Sequence, residues 1–247
     1  MRDTPFRTSG RVSGQEFFGR TESIRTIVRH LRGNNNVAIV GAPRIGKTSL
    51  LTTLFRNYKR ADREVLTWST DMRELKTLED LVEEFYIGTG SQTKNHSLNA
   101  LVKTLGEFQK RLVMFIDSAE RLAEPPFNEE ALFAILASRL QSHHISLCIA
   151  MTLPPEQVLT NRVGFPLHTL FVRYDLLPFT PDECRELIEK KLRWTGVHFD
   201  ETEVDQLIKD SKGHPADLQQ LAGKLFKQKM AQEEQRGKDS QVSRRTR

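Results

Sequence analysis

The sequence of 247 residues has 38 % hydrophobic and 28 % charged residues, which excludes a globally disordered chain and predicts one large domain, or a main domain with a small one. No apolar run approaches the roughly 18 residues of a membrane span, and the first residues lack a signal-peptide apolar segment. We therefore expect a cytoplasmic protein with no membrane contact. The net charge of +5 lies at the ends, because residues 1–13 and 236–247 together carry +6 and the rest of the chain −1. The core is therefore not predicted to bind DNA, although its basic tails leave contact with DNA, RNA or an acidic partner open.

The chain begins with two segments of different character. Residues 1–15 are polar and rich in arginine and serine, and we expect them to form a flexible N-terminal segment. The next five residues read Glu-Phe-Phe-Gly-Arg and precede an apolar pattern of helical period, from Ile24 to Leu31, that ends at Gly33. The folded α/β domain is therefore predicted to begin at residue 16.

A glycine-bounded loop then follows a short apolar strand at 37–40 and leads into a helical pattern. The loop has the pattern GxxxxGKT, in which Gly41 and Gly46 let backbone N–H groups wrap a phosphate chain. Lys47 would reach the β- and γ-phosphates, and the Thr48 hydroxyl would hold Mg²⁺. A chance glycine-rich turn is the alternative, which the flanking strand and helix argue against. The predicted nucleotide-binding residues are Gly41, Ala42, Pro43, Arg44, Ile45, Gly46, Lys47, Thr48 and Ser49.

Further along, apolar strands alternate with helical patterns and then give way to helices alone. The predicted strands are 64–71, 112–117, 146–152 and 169–177, and the predicted helices between them are 78–86, 98–108 and 128–140. This alternation predicts a three-layer α/β fold of the P-loop NTPase type, with a mainly parallel five-stranded sheet over residues 16–178. Helix signals at Thr180, Asp200 and Pro215 predict a small helical lid over residues 179–232, followed by a basic disordered tail, 233–247.

The strand at 112–117 ends in an acid, Asp117, where a P-loop enzyme needs a carboxylate to orient Mg²⁺. An ordinary strand-end aspartate is the alternative. Hydrolysis also needs a group that polarises the attacking water, but residue 118 is a serine. Glu120, two residues further on, is a candidate base or else a helix-start carboxylate. Slow hydrolysis of the bound nucleotide is therefore expected.

Three more residues are candidates for contacts around the γ-phosphate. Thr152 ends the strand predicted to lie beside the P-loop strand, where it would contact the γ-phosphate or the water, or simply start a loop. Arg162 and Arg173 are candidates for an arginine that acts across a subunit interface, although each is also what an ordinary surface arginine looks like.

The order of these segments resembles the AAA+ ATPase superfamily, and within it the STAND group and the related origin-recognition-type ATPases of bacteria and archaea. The resemblance covers roughly residues 15–230. It implies contacts with the adenine of ATP or ADP around Phe18, Gly19 and Arg20. It also implies a lid signature at Gly213, His214 and Pro215, in which the proline backs the nucleotide and couples it to the position of the lid.

Two departures from this resemblance shape the functional prediction. Ser118 replaces the usual second acid, and the segment after the lid proline, residues 216–218, supplies no arginine. We therefore expect an ATP-binding molecular switch with weak ATPase activity, acting through self-association or an unidentified protein partner. A DNA-associated helper ATPase and an ATP-binding scaffold that does not hydrolyse ATP are the alternatives.

Overall fold

The computed structural model describes most of the chain, namely residues 4–7, 10, 17–61, 65–90, 97–107, 111–142, 144–159 and 166–245. Contacts between Cα atoms divide the protein into two compact units. The first, here called the sheet unit, comprises Arg20–Pro43 and Lys47–Leu176. The second, the helical unit, comprises Met1–Gly19, Arg44–Gly46 and Leu177–Arg247.

Within the described residues, the sheet unit contains one five-stranded sheet, and each neighbouring pair of strands is parallel. The strands are β1 (Asn36–Val40), β2 (Leu66–Asp71), β3 (Leu112–Asp117), β4 (Ile145–Met151) and β5 (Phe171–Asp175). Their spatial order is β2-β3-β4-β1-β5. The strand β4 therefore lies beside the P-loop strand β1, as the sequence predicts. Every residue of β1, β3 and β4 is buried, as expected of strands covered on both faces. The predicted α/β fold is confirmed.

Helices and short helical turns connect the strands. They are α1 (Thr21–Arg32), α2 (Lys47–Ala61), α3 (Leu78–Thr89), α4 (Leu98–Glu107), α5 (Glu130–Gln141) and α6 (Pro155–Val158), with 3-10 turns at Ala119–Ala123 and Leu167–Leu170. The residues at the two ends of α3 explain where this helix begins and ends. Thr77 and Asp80 form a capping box at its start, and Gly90 closes it with a left-handed backbone, φ 70°.

The packing of aromatic rings establishes the three layers of the sheet unit. Because successive strand residues point to opposite faces, Met114 and Phe115 of β3 mark the two sides. Phe115 meets Phe55 and Tyr58 of α2, at ring-centroid distances of 5.7 and 6.1 Å. On the Met114 side, Trp68 of β2 packs against the ring of α3 residue Phe85 at 5.5 Å, in a buried cluster that also includes α4 and α5. Helices therefore cover both faces of the sheet.

The helical unit is built from α7 (Pro181–Leu192), α8 (Glu201–Ser211) and α9 (Pro215–Arg245). Thr180 caps α7 and Asp200 caps α8, each in a reciprocal capping box with a glutamate three residues later. These are the two helix starts that the sequence signals at Thr180 and Asp200 predict. Lys212, with φ 50°, ends α8 before the turn into α9.

The N-terminal segment differs from its prediction as a flexible lead-in. Of residues 1–15, the structure describes 4–7 and 10, and Phe6 is buried in the core of the helical unit with only 2 % of its surface exposed. Its ring stacks on Phe199 at 6.2 Å and meets Phe226 edge-on at 6.4 Å. A buried phenylalanine contributes enough apolar contact to hold a short polar segment in place.

The C-terminal segment also differs from its prediction. Instead of disorder from residue 233, α9 continues as a helix to Arg245. Residues 231–245 contain no proline and are rich in the helix formers Gln, Glu, Lys and Arg, so local propensity favours the helix despite the charge. Although α9 is long, it is polar, and no helix in the described ranges is both long enough and apolar enough to cross a membrane.

Candidate functional site

The loop between β1 and α2 contains two residues with left-handed backbone, Arg44 at φ 62° and Gly46 at φ 103°. A Cβ atom at Gly46 would meet nothing within 4 Å, so the backbone conformation, not the space, favours glycine there. The N–H of Gly41 donates to the main-chain oxygen of Met151 at 3.3 Å, which ties the start of the loop to the end of β4. Lys47 begins α2, so the partial positive charge of a helix N-terminus lies at the end of the loop.

The remaining loop residues are placed differently with respect to solvent. Those at its centre, Ala42, Pro43 and Arg44, are exposed, whereas Ile45 is buried. Thr48 and Ser49, in the first turn of α2, are half-buried. The loop therefore presents mainly its backbone, together with the Lys47 and Thr48 side chains, to an anion.

Lys47 lies folded over the start of its own loop. Its Nζ donates to the main-chain oxygens of Gly41 at 2.7 Å and of Ala42 at 2.9 Å. Burial lowers the pKa of Lys47 below its ordinary value, while the carboxylates of Glu120 and Asp117 act in the opposite direction. The ammonium group therefore lies in the field of both sequence-predicted acids.

Asp117 is the last residue of β3 and is buried. Its Oδ1 accepts a hydrogen bond from the backbone N–H of Ser118 at 2.9 Å, where the chain turns sharply with a left-handed backbone, φ 54°. Its Oδ2 is buried and, among the described residues, accepts no hydrogen bond. Buried carboxylate oxygens are normally paired, so this atom is an available ligand at the end of the strand.

Glu120 lies in the 3-10 turn that follows Asp117. In the described part of the chain its Oε2 is also buried without a hydrogen bond. Of the two acids that act on Lys47, Glu120 makes the larger contribution. Glu120, three residues after Asp117, therefore acts electrostatically on the P-loop lysine. The position also suits a helix-start carboxylate, and its role as a base stays a prediction.

Two residues that the sequence analysis missed, Asp71 and Arg73, lie at the end of the neighbouring strand. Asp71 is paired with Asp117 in the register of β2 and β3 and is likewise buried. Arg73 donates from Nε to Asp71 Oδ1 at 3.0 Å and from Nη2 to Oδ2 at 2.7 Å. The sequence signal for these two residues is an aspartate at a strand end followed two residues later by an arginine. Only the register of the two strands shows that Asp71 lies beside Asp117.

The structure describes two of the three other residues predicted to contact the γ-phosphate, Thr152 and Arg173. Thr152 is exposed and directly follows Met151, the residue that accepts the hydrogen bond from Gly41. Arg173 lies on the edge strand β5, where its Nε donates to Asp175 Oδ1 at 2.9 Å and its guanidinium lies 3.9 Å from Glu156. These pairs are those of a surface arginine. Arg162 lies outside the described residues.

Two glycines of the predicted adenine-side segments come together in the helical unit. Gly19, with φ 68°, would place a Cβ atom 3.2 Å from the ring of Phe179. Gly213, with φ 72°, would place one 2.3 Å from the Phe179 main-chain oxygen, and its own oxygen accepts from the Phe179 N–H at 2.8 Å. Both segments therefore pack against Phe179, and both need glycine there.

The remaining residues of these two segments have varied surroundings. Phe18 is half-buried, with the ammonium groups of Lys190 and Lys191 at 5.3 and 5.6 Å from its ring centroid. Arg20, in the sheet unit, is buried and occupies the position before α1 with a left-handed backbone, φ 63°. His214 Nδ1 lies 3.3 Å from Asp217 Oδ2, and Pro215 is the first residue of α9.

Residues 8–240 match the family whose description is Novel STAND NTPase 1. The chain belongs to this STAND family. The match spans the P-loop, the strand-end acids, α7, α8 and most of α9, and it confirms the resemblance to the STAND group inferred from the sequence. The protein is therefore a STAND-type NTPase with the α/β fold of the P-loop NTPases.

Solved structures share the fold of this STAND family member at low identity. A Walker-type ATPase of Pyrococcus abyssi matches with a TM-score of 0.67 and 19 % identity over 98 % of this chain and 80 % of that one. The ORC2 protein of Aeropyrum pernix matches with 0.63 and 13 % over 87 % and 64 %, so this chain spans less than two thirds of its length. Domain III of DnaA from Thermotoga maritima matches with 0.58 and 16 % over 90 % and 88 %. Among curated protein sequences none is similar enough to count as a relative.

Mg²⁺ fits the donors that this STAND protein provides at the carboxyl end of its sheet. No group of three or more His, Cys, Asp or Glu side chains suited to a metal occurs in the described ranges. Mg²⁺ usually takes only one or two protein ligands and keeps waters and phosphate oxygens as the others. The Oδ2 atom of Asp117, which is buried and accepts no hydrogen bond from the residues that the structure describes, and the half-buried Thr48 hydroxyl are hard oxygen donors of that kind.

Proposed function

We propose that this STAND protein is an ATP-dependent molecular switch that hydrolyses ATP slowly. The observation that carries the proposal is an imbalance at the P-loop. The residues proposed for binding are Lys47 and Thr48, at the start of α2, and Asp117, at the end of β3. The groups for hydrolysis are fewer, because Ser118 replaces an acid and Glu120 is the one candidate base.

Different residues of the chain have different roles at the phosphates. In the proposal, the backbone N–H groups of 41–46 hold the phosphate chain, and Lys47 leaves the carbonyls of Gly41 and Ala42 to contact the β- and γ-phosphates. Thr48 and Asp117 hold Mg²⁺, which when bound neutralises developing charge on the phosphates. The unbonded Oε2 of Glu120 accepts a proton from the attacking water.

Contacts at the γ-phosphate and the adenine extend the proposal. Thr152, exposed next to the start of the loop, hydrogen-bonds the γ-phosphate or the water. Phe18, Gly19 and Arg20, with Gly213, His214 and Pro215, are proposed for the adenine side. The shared packing of Gly19 and Gly213 on Phe179 supports treating these two segments together.

Single-turnover hydrolysis tests the slow step directly. Phosphate release is measured with the enzyme in excess over ATP, for the wild type and for Glu120→Gln. We expect a rate well below one turnover per second in the wild type, and a further fall of about 100-fold in Glu120→Gln, the usual contribution of a positioned base. Glu124→Gln is the matched control, since Glu124 is an exposed carboxylate in the same segment that pairs with Arg121.

The outcomes separate the candidate functions. A brisk wild-type rate that is lost in Glu120→Gln would contradict a slow switch and favour a motor. Bound ATP that stays unhydrolysed in both proteins would instead favour the ATP-binding scaffold. An equal rate in Glu120→Gln and Glu124→Gln would remove Glu120 from the mechanism.

Switching requires that ATP and ADP favour different assemblies. Size exclusion with light scattering, without nucleotide, with ADP and with a non-hydrolysable ATP analogue, measures this. We expect a larger species with the analogue, either a self-assembly or, in a mixture, a complex with a protein partner. An unchanged monomer in all three states would contradict switching by self-association.

A DNA-associated helper ATPase is the second candidate. Four of the five basic residues beyond 235 lie on α9, namely Arg236, Lys238, Arg244 and Arg245. A neighbour of the same fold, ORC1 of Aeropyrum pernix, is described in complex with DNA. Binding of duplex DNA that weakens with salt and survives removal of residues 236–247 would support this candidate, and no binding at low salt would exclude it.

A further inference from the structure

Arg73 is a positive charge at the phosphate side of the sheet that the proposed function leaves without a role. It follows β2 by two residues, and β2 lies next to β3 with Asp71 and Asp117 in register. Both strands end at this edge, where β1 also ends in the P-loop. The topology therefore brings Arg73 to the same edge as Asp117 and Lys47.

The contacts of Arg73 orient its guanidinium toward this site. Asp71 accepts two hydrogen bonds from the guanidinium, one from Nε and one from Nη2, and a third from the Arg73 backbone N–H at 3.1 Å. The same Nη2 lies 3.9 Å from Asp117 Oδ2, the oxygen that accepts no hydrogen bond in the described part of the chain. Asp71 thus holds a cation beside a candidate Mg²⁺ ligand.

Exposure and charge both suit a contact with an anion. The Arg73 side chain is 59 % exposed, whereas Asp71 is buried, so the carboxylate anchors a guanidinium that faces outward. The Arg73 charge also acts on Lys47 electrostatically and lowers the pKa of that ammonium group. A guanidinium presents five donors in a planar fork that matches phosphate oxygens.

We propose that Arg73 is a ligand of the γ-phosphate, supplied by the same chain, through which the site distinguishes ATP from ADP. The proposal rests on the function proposed above. In this account Asp71 is a positioning residue that orients Arg73. When the γ-phosphate is present, the Arg73 guanidinium donates to it while keeping part of its pairing with Asp71.

The alternative is that Arg73 only stabilises the corner after β2. The two roles differ in what they do to nucleotide affinity, because a corner brace would affect ATP and ADP alike. Equilibrium titrations of fluorescent ATP-analogue and ADP with Mg²⁺, on the full chain, separate them. The variants are Arg73→Gln, which keeps an amide donor for Asp71 without the charge, and Arg73→Lys, which keeps the charge without the fork.

We expect Arg73→Gln to weaken ATP-analogue binding about tenfold, the size of one lost charge-assisted hydrogen bond, and ADP binding less than twofold. Arg73→Lys should lose about threefold for the ATP analogue and nothing for ADP. Arg25→Gln is the matched control, because Arg25 is an exposed arginine paired with a glutamate, Glu22, and is not among the charges that act on Lys47.

Thermal unfolding of each variant shows that the binding data come from folded protein. If Arg73→Gln does not fold, Arg73→Lys decides. Equal losses for ATP analogue and ADP, or no loss for either, would overturn the role of Arg73. If the wild type binds no nucleotide, or if Lys47→Ala binds as the wild type does, the proposed function fails first, so the two failures are distinguishable.

Discussion

The sheet unit and the helical unit use charged residues in opposite ways. At the edge of the sheet, Asp117 and Glu120 each bury a carboxylate oxygen that, among the described residues, accepts no hydrogen bond. In the helical unit, charged side chains pair on the surface, as Arg185 does with Asp205 at 2.6 Å. The helical unit thus gains its stability from apolar packing and helix caps, whereas the sheet unit leaves buried carboxylate oxygens without hydrogen bonds at the proposed nucleotide site.

The largest effect that this comparison predicts is on the core of the helical unit. Phe6→Ala removes a buried ring that contacts Phe199 and Phe226, and it should lower the free energy of unfolding by about 3–5 kcal/mol. Chemical denaturation followed by circular dichroism measures it.

Arg185→Ala is the control for this prediction, because it removes a surface charge pair from the same unit. It should lower the free energy of unfolding by no more than about 0.5 kcal/mol. A larger loss from Arg185→Ala than from Phe6→Ala would contradict the view that packing, and not charge, stabilises this unit.

A smaller effect is expected from the backbone of the helical unit. Gly213→Ala forces a side chain into a left-handed backbone and against the Phe179 oxygen, and should cost about 2–3 kcal/mol of the free energy of unfolding. Gly196→Ala is the matched control, since Gly196 has φ 79° but open space around it, and should cost about 1 kcal/mol. Equal thermal shifts in the two variants would show that the contact with Phe179 carries no strain.

On the sheet side the comparison predicts a gain in stability with a loss in function. Asp117→Asn keeps the acceptor for the Ser118 N–H but removes a buried charge whose ion pair with Arg73, at 3.9 Å, is long, so it should raise the free energy of unfolding without nucleotide by about 1 kcal/mol. The dependence of ATP affinity on Mg²⁺ should fall at the same time. Denaturation and titration on the same preparation check both, and a destabilised variant would contradict the idea that Asp117 is kept for function.

The smallest predicted effect concerns Lys47. Burial lowers its pKa, so the folded state releases this proton at a lower pH than the unfolded state does. Below that lowered pKa the folded protein carries a disfavoured charge, and Lys47→Met should raise the thermal midpoint at pH 7 by on the order of 1–2 °C. In the alkaline window between the lowered and the ordinary lysine pKa, the wild type should gain stability relative to the variant as pH rises. A constant difference across that window would contradict the shift.

How far the sequence alone predicted this molecule depends on how local each signal is. The strands, the P-loop and the end of β3 at Asp117 were predictable, because an apolar run followed by a glycine loop or a single acid is written in consecutive residues. The capping boxes at Thr180 and Asp200 are local in the same sense.

The features that sequence reasoning missed depend on distant partners or on a choice between opposing signals. Phe6 is buried against residues some 200 positions away, so nothing near it in the sequence separates it from a polar lead-in. The pairing of Asp71 with Asp117 is a matter of strand register, which periodicity does not supply. For α9, charge density suggested disorder while helix propensity favoured the helix, and the helix is what forms.

The central claim, that the loop at 41–48 holds a nucleoside triphosphate, is tested most directly by isothermal titration of Mg·ATP into the wild type and into Lys47→Ala. Thermal unfolding of both proteins serves as the check on folding. We predict one site per chain in the wild type and a loss of affinity of about 100-fold in the variant, the effect of removing a charge-assisted contact to phosphate. Equal affinities in the two folded proteins would contradict the account.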